Sequence, residues 1–311
     1  RTQPSSLRVR MARAAHSLLA VAFLLVAVAA TPAAAENLRW LRKRRGSLVE
    51  QSFQTEIDGE KHSLLFELFI PNSCTGTSGA PVCDKAPVLV FLHGRGESGG
   101  YDVTNAQSLP WLLLNNKSFA ADHSFITIVP QCPGFCAELN GWQSQVLRSI
   151  TALVQQQILG DAIGGDASRV YLAGQSMGGN GAWVYAAQQP RLFAAIAVVC
   201  GYAQESTPIA RRVVAGQTAV LVCHSADDSV IPVSASDEMV QALTDRGQPA
   251  RMLKYVRYEH APGPPMPEFA HLVGHGSYEL IFRDAGLYLW LLQHRLASSA
   301  APTEWRALAN L

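Results

Sequence analysis

The sequence predicts an α/β fold built on a mostly parallel sheet of eight strands, with helices on both faces. Short apolar runs recur along the chain and alternate with stretches of helical periodicity, as expected when strands are covered on both sides. In addition, 48% of the 311 residues are hydrophobic and only 16% are charged. This composition favours a large buried core over a disordered chain.

The first part of the chain has the pattern of a secretory signal. Met11 is the expected start, Arg13 gives a positive region, and residues 18–30 form an apolar run. Small residues then precede a predicted cleavage after Ala35. We therefore predict a signal peptide over residues 11–35 and a secreted, extracellular protein. The alternative is a membrane anchor, although the apolar run is shorter than a spanning helix requires.

A basic segment, residues 36–47, follows the predicted cleavage. It is expected to be a solvated tail. The alternatives are a processing site at residues 42–45 or a contact with an anionic wall polymer. The formal net charge of the whole chain is only +1, so its bulk electrostatics do not point to nucleic acid or a membrane surface as a partner.

An antiparallel hairpin opens the predicted sheet. Two alternating runs, 48–57 and 62–70, flank the turn signal Asp58-Gly59. The other strands are expected at 87–93, 124–130, 169–174, 193–199, 218–224 and 251–258, and the helices at 105–115, 143–159, 177–189, 234–246 and 277–293. Because no repeat or long linker interrupts this series, we predict one domain over residues 48–298 and a C-terminal tail over 299–311.

All six cysteines follow the predicted cleavage, and an even number in a secreted chain favours disulfides. The pairs that are close in sequence are Cys74 with Cys83 and Cys132 with Cys136. Each pair can close a local loop. The second pair could instead ligate zinc, but there is no second tight pair to complete a site. Cys200 and Cys223 end apolar runs and are expected to be buried thiols, with a third bridge as the alternative.

The stretch GQSMGG, residues 174–179, directly follows an apolar run and precedes a predicted helix. Gly174 and Gly178 leave room for a tight strand-to-helix turn that would expose the hydroxyl of Ser176. The free N–H groups of the helix N-terminus, notably that of Met177, would then face a developing oxyanion. The alternative is a glycine-rich turn with an inert serine.

A nucleophilic serine needs a base and a group that orients the base. Asp227 and Asp228 follow the strand at 218–224, and both are candidates for the orienting acid. His275 stands directly before the last predicted helix, for which Ser277 is the expected N-cap. The chain order Ser, Asp, His is typical of α/β-hydrolases. His260 and His271 lie in the same loop as His275 and are weaker candidates for the base.

The stretch HGRGE, residues 93–97, follows the strand at 87–93. In this architecture the loop after that strand supplies a second oxyanion donor. We predict the N–H group of Arg95 for this role, with Gly94 and Gly96 allowing close backbone approach. An ordinary glycine-rich loop is the alternative.

Taken together, FLHGRGESGGYD, IVPQCP, RVYLAGQSMGGNGAW, HSADDSVIP and GHGSYE resemble secreted α/β-hydrolases of the polyhydroxybutyrate depolymerase and feruloyl esterase type. They are still more similar to relatives called predicted peptidases or phospholipase/carboxylesterase-like proteins. The resemblance spans residues 55–293 and implies an α/β-hydrolase fold. It also implies that Ser176 is the nucleophile, Asp228 the acid and His275 the base. Asp227 remains the alternative acid.

The resemblance further implies a two-step acyl transfer without a cofactor or a metal. Trp142 resembles an aromatic residue that lines the substrate groove, with core packing as the alternative. The expected partner is a small-molecule or polymer-linked ester, bound by a monomer with no nucleic acid and, after signal removal, no membrane. The pocket is expected from loops 95–110, 131–145, 202–216 and 258–274, with residues 261–269 as one rim. The alternatives to an esterase are a prolyl-oligopeptidase-type serine peptidase and a non-catalytic binding protein.

Overall fold

The computed structural model describes residues 32–77, 81–100, 102–160 and 162–297. Most of the predicted signal peptide and the predicted tail lie outside these residues. The strands are β1 (Leu48–Ile57), β2 (Glu60–Phe69), β3 (Ala86–Leu92), β4 (Ile126–Pro130), β5 (Gly165–Gln175), β6 (Ala195–Val199), β7 (Ala219–Ser225) and β8 (Leu253–Tyr258). The eight predicted strands are therefore all present, with ends shifted by a few residues.

The strands form one sheet in the order β1-β2-β4-β3-β5-β6-β7-β8. The first hairpin is antiparallel, and β2 also pairs antiparallel with β4. All the remaining pairs are parallel. Strands β3, β4, β6 and β7 are buried along their whole length, which explains why their sequences are continuously apolar rather than alternating.

The helices are α1 (Pro32–Lys43), α2 (Leu109–Asn115), α3 (Lys117–Asp122), α4 (Phe135–Glu138), α5 (Ser144–Leu153), α6 (Met177–Gln188), α7 (Ser206–Ala215), α8 (Ser234–Asp245), α9 (Ser277–Ile281) and α10 (Ala285–Leu292). They cover two hydrophobic clusters, one on each face of the sheet. The fold is the α/β-hydrolase fold, as predicted. Within the residues described, no helix is long and apolar enough to cross a bilayer.

Three helical predictions need correction. Residues 206–215, which were expected to be loop, form α7. The single helix expected over 277–293 is two helices, because the chain turns at Phe282–Asp284 and the Asp284 side chain accepts a hydrogen bond from Gly286 N–H to begin α10. Ser277 is not an N-cap. It is the first residue of α9, where Gly276 holds the cap position.

The basic segment also differs from the solvated tail that was expected. Residues 36–43 belong to α1, and Leu41 is only 2% exposed in the core cluster. The guanidinium of Arg45 donates a hydrogen bond to the Cys74 carbonyl. This part of the chain therefore packs on the domain, although many of its charged side chains remain exposed.

Two disulfides join the cysteines that are close in sequence, Cys74 to Cys83 and Cys132 to Cys136. Both pairings agree with the prediction. Because Cys132 and Cys136 are bridged to each other, they are not available to ligate zinc. Cys200 and Cys223 are buried thiols, which is the expected state rather than the third bridge.

Candidate active site

Ser176 occupies a strained turn between β5 and α6. Its backbone has φ 53° and ψ −119°, a region that residues with a side chain rarely adopt. A Cβ on Gly174 would lie 2.1 Å from the Gly178 carbonyl oxygen, and a Cβ on Gly178 would lie 2.0 Å from that of Leu92. Only glycines fit at these two positions, so the turn can pack tightly and present the serine hydroxyl at the carboxyl edge of the sheet.

The structure brings Ser176, His275 and Asp228 into one hydrogen-bonded series. The Oγ of Ser176 lies 3.0 Å from Nε2 of His275. The other ring nitrogen, Nδ1, lies 2.9 Å and 3.1 Å from the two carboxylate oxygens of Asp228. Since a carboxylate only accepts hydrogen bonds, Nδ1 carries the proton, and Nε2 is free to accept from the serine hydroxyl.

A second histidine holds the same carboxylate. His224 is fully buried, and its Nε2 lies 3.1 Å from Oδ2 of Asp228 and 2.9 Å from the Ile231 carbonyl oxygen. The backbone N–H groups of Val230 and Ile231 donate to Oδ1 at 2.8 and 3.0 Å. Burial alone would raise the pKa of Asp228. The hydrogen bonds from His224 and His275 outweigh burial and hold this pKa well below its ordinary value.

Asp227, the alternative acid, faces away from His275. It accepts hydrogen bonds from Ser225 Oγ at 2.5 Å and from the Ala261 N–H at 3.2 Å, and it lies 3.1 Å from Nδ1 of His260. These contacts lower its pKa, mainly through the Ser225 hydroxyl. Asp227 therefore attaches the loop after β8 to the end of β7.

The loop after β3, residues 93–97, lies beside Ser176. His93 is buried, with Nδ1–H donating to the Gly94 carbonyl at 2.7 Å and Nε2 accepting from the Cys132 N–H at 3.0 Å. Burial lowers the pKa of His93 to about 4, so this ring is neutral and structural. Arg95 and Met177, whose N–H groups are the predicted oxyanion donors, both line the cavity at the serine.

Trp142 is buried behind the loop after β3. It is 3% exposed and is not among the residues that line the cavity. A Cβ on Gly181 would lie 2.8 Å from the indole ring of Trp142. Its Nε1–H donates to the His93 carbonyl at 3.2 Å. Trp142 thus supports the loop after β3 from behind.

A cavity of about 810 Å³ opens over Ser176 and His275. The apolar side chains on its wall include Met177, Val230, Ile231, Pro264, Met266, Phe269 and Leu272. Residues 264–269 lie within the segment that was expected to form one rim. The predicted loops at 95–110, 131–145 and 202–216 each also contribute lining residues. The site is therefore a mostly apolar cleft with the reactive side chains at its base.

One cluster within the described residues has the composition of a metal site. The ligating atoms of Cys200, Asp228 and His275 lie within 4.8 Å of one another. Burial raises the pKa of the Cys200 thiol strongly, and a protonated thiol is a poor metal ligand. The carboxylate and the imidazole already bind each other. The geometry therefore favours proton transfer over metal binding.

Sequence reasoning did not assign roles to His224, Glu97 and Gln175. His224 had a usable signal, because it follows an apolar strand and precedes the acid by four residues. Glu97 and Gln175 become notable only through burial, since both line the cavity yet are only 4% and 2% exposed. A charged residue in a glycine-rich loop gives no sign of being buried.

The fold is that of the α/β-hydrolases, and comparison with known proteins agrees. Residues 139–268 match the model of the dienelactone hydrolase family. This segment holds Ser176 and Asp228 and ends before His275. No curated protein is significantly similar to the chain in sequence.

Solved structures share the fold. A thermostable esterase is 24% identical with a TM-score of 0.60, over 79% of this chain and 63% of the esterase. The chain thus spans less than two thirds of that protein. A Klebsiella pneumoniae protein assigned as a dienelactone hydrolase is 16% identical with a TM-score of 0.53, over 79% of this chain and 99% of its own. Pyrococcus horikoshii acylaminoacyl peptidase is 16% identical with a TM-score of 0.52, over 83% of this chain and 44% of its own.

Proposed function

We propose that this protein is a serine hydrolase that cleaves carboxylic esters through an acyl-enzyme intermediate. The observation that carries the proposal is the unbroken series from Asp228 through His275 to Ser176, located on a strained turn at the base of the cavity. The fold and the family match support a hydrolase, and the apolar wall favours esters over highly charged substrates.

In the first step the Ser176 hydroxyl attacks the ester carbonyl while His275 takes its proton at Nε2. Asp228 holds the ring orientation and stabilises the imidazolium that forms. The N–H groups of Met177 and Arg95 stabilise the oxyanion, each donor contributing about 3 kcal/mol. His275 then protonates the leaving alcohol. A water molecule, activated by the same nitrogen, hydrolyses the acyl-enzyme and releases the acid.

The first test compares hydrolysis of p-nitrophenyl acetate and butyrate by the protein and by its Ser176→Ala variant. We expect the variant to lose up to about 10⁶-fold in kcat while keeping its far-UV circular dichroism. Equal activity in both proteins would exclude Ser176 as the nucleophile. Activity only towards acylated peptides would favour the peptidase alternative, and absence of turnover on either substrate class would favour a binding protein.

We also propose that the protein is secreted. The two disulfides are compatible with an oxidising compartment, and the signal pattern over residues 11–35 supports export. Expression of the full chain in a secreting host, followed by N-terminal sequencing of the protein in the medium, is the test. Protein that stays in the cell with an intact N-terminal region would contradict the proposal.

A further inference from the structure

Glu97 is a buried carboxyl group at the active site that the proposed mechanism does not use. It is 4% exposed, lines the cavity and ends the short turn that carries Arg95. A Cβ on Gly94 would lie 3.0 Å from Oε2 of Glu97. The same Cβ would lie 3.7 Å from Cβ of Ser176. The carboxyl group therefore lies against Gly94, which is itself close to Ser176.

Glu97 also contacts the residue that precedes the nucleophile. Its Oε1 accepts a hydrogen bond from Nε2 of Gln175 at 3.3 Å. The side-chain oxygen of Gln175 is buried and accepts no hydrogen bond among the residues described. A buried amide oxygen without a donor is costly. An ionised carboxylate cannot supply a donor, whereas a neutral carboxyl group has an O–H that can.

Among the residues that the structure describes, no cationic group shifts the pKa of Glu97. On its own loop, His93 is neutral, and the Arg95 guanidinium donates from Nε to the Ala137 carbonyl at 3.0 Å. Cys200, directly after β6, and Tyr278, on α9, also feel its charge, although their pKa values are raised mainly by burial. The imidazole of His275 lines the same cavity, with the carboxylate of Asp228 bound behind it. A negative charge on Glu97 would thus be met only by neutral N–H donors and not by a cation.

We propose that Glu97 is a positioning residue, which in its neutral form forms an acid–amide pair with Gln175 and so fixes the loop of Arg95 against the serine turn. In this pair the amide N–H donates to the acid carbonyl and the acid O–H donates to the amide oxygen. When the ionised Glu97 carboxylate forms this pair, it takes up one proton from the solvent. The effect on catalysis passes through the backbone of residues 94–95, and so this inference rests on the proposed function.

The electrostatics are consistent with the neutral form. Burial raises the pKa of Glu97 to about 7, against hydrogen bonds from the backbone N–H groups of Glu97 and Gly94 that lower it. In the unfolded chain the group titrates near its ordinary value of 4.5. Between these two values the folded state holds a proton that the unfolded state has lost. Raising the pH through this window therefore destabilises the fold.

The first test is the pH dependence of kcat in the protein and in Glu97→Gln, with the Ser176→Ala rate subtracted. We expect kcat of the parent to fall by about tenfold or more between pH 7 and pH 9, with little change in KM. Glutamine keeps a two-point pair with Gln175 at every pH, so Glu97→Gln should lose this decline. Glu97→Ala should have a low kcat throughout, and Glu67→Gln, a half-buried acid on β2 whose pKa burial also raises, should keep the decline.

A second measurement does not require activity. The melting temperature of Glu97→Gln minus that of the parent should grow from about pH 4.5 to pH 7 and then level off. A flat difference, or an unchanged decline of kcat in Glu97→Gln, would overturn the proposal. The parent could hydrolyse no ester while the two melting temperatures diverge with pH as expected. In that case the esterase proposal and the positioning role would both be wrong, but the conclusion that Glu97 is protonated in the folded protein would be kept. If Glu97→Gln does not fold, infrared titration of the parent's neutral carboxyl absorption decides the matter.

Discussion

Asp227 and Asp228 are neighbours in sequence, yet the fold gives them different tasks. The Asp228 carboxylate is fully buried and lies between two imidazoles, those of His224 and His275. Asp227 contacts the exposed ring of His260 and a backbone N–H. The difference arises because consecutive residues after a strand point in different directions. A pair of acids in sequence therefore need not be a pair in function.

Replacing these two acids separately tests the assignment. Asp228→Asn should lower kcat by about 10⁴-fold, because an amide can present its NH₂ group to Nδ1 and favour the wrong tautomer of His275. Asp227→Asn should lower kcat by less than about tenfold, since it loosens only the loop after β8. Steady-state kinetics on p-nitrophenyl butyrate give both values. A larger loss in Asp227→Asn would reverse the assignment.

The residue types of the candidate site could be predicted from sequence in part because Ser176 and Asp228 each follow an apolar strand. The tight glycine spacing around Ser176 and the position of His275 before a helix marked two of them. The strand and loop pattern alone left both Asp227 and Asp228 open, because the choice depends on side-chain direction; only the family resemblance favoured Asp228. Glu97 and Gln175 could not be found either, because the sequence does not show which polar residues the packed loops bury.

At the scale of elements, the turn from β5 into α6 depends on close backbone packing. Gly178 lets the first turn of α6 approach the end of β3, where the carbonyl of Leu92 would meet any Cβ. The strained conformation of Ser176 is held by the hydrogen bond from its N–H to the Val199 carbonyl at 2.9 Å. Ser176 is thus positioned by three strands rather than by its own loop.

Gly178→Ala should therefore destabilise the fold by about 3 kcal/mol or more, because the new methyl group meets backbone that cannot move aside. Gly96→Ala is the matched control. A Cβ there has nothing within 4 Å, and the backbone is not left-handed, so the expected change is within about 0.5 kcal/mol. Urea unfolding monitored by circular dichroism measures both. Similar urea midpoints for the two variants would show that the turn from β5 into α6 tolerates a side chain at residue 178.

Elements with strong patterns were predictable, and weak ones were not. The buried strands have continuous apolar runs, and their ends were found within a few residues. Helix α7 was missed because only Ala210 and Val213 of its ten residues are buried, which is too narrow an apolar stripe to recognise. The break before α10 was missed because Leu, Phe and Trp residues surround it on both sides.

At the scale of the whole molecule, the two disulfides lie in different surroundings. The bridge from Cys74 to Cys83 closes a loop between β2 and β3, away from the cavity. The bridge from Cys132 to Cys136 lies under the loop after β3: the Cys132 N–H binds His93, and its carbonyl accepts from the Gly99 N–H at 2.9 Å. One bridge therefore supports the fold, and the other also supports the site.

Replacing each pair by alanines should separate these effects. Both double variants should lose about 2–3 kcal/mol of stability, because each bridge restricts the unfolded chain. Only Cys132→Ala/Cys136→Ala should also lower kcat, by about tenfold or more, through displacement of the loop after β3. Thermal unfolding and ester kinetics on the same samples check this. Equal kcat in the two double variants would show that the second bridge does not position the site.

The loop after β8 returns close to where it leaves. The Gly274 N–H donates to the Ala261 carbonyl at 2.9 Å, and the Gly276 N–H donates to that of Pro262 at 2.8 Å. This closed neck is the form of an Ω-loop. His275 belongs to the neck, whereas Pro264, Met266, Phe269 and Leu272, which form part of the cavity wall, belong to the lobe. Part of the cavity wall and the His275 imidazole are therefore carried by separable pieces of chain. On the proposed function, exchange of residues 264–272 as a cassette is expected to change which substrates bind while Ser176, His275 and Asp228 stay in place.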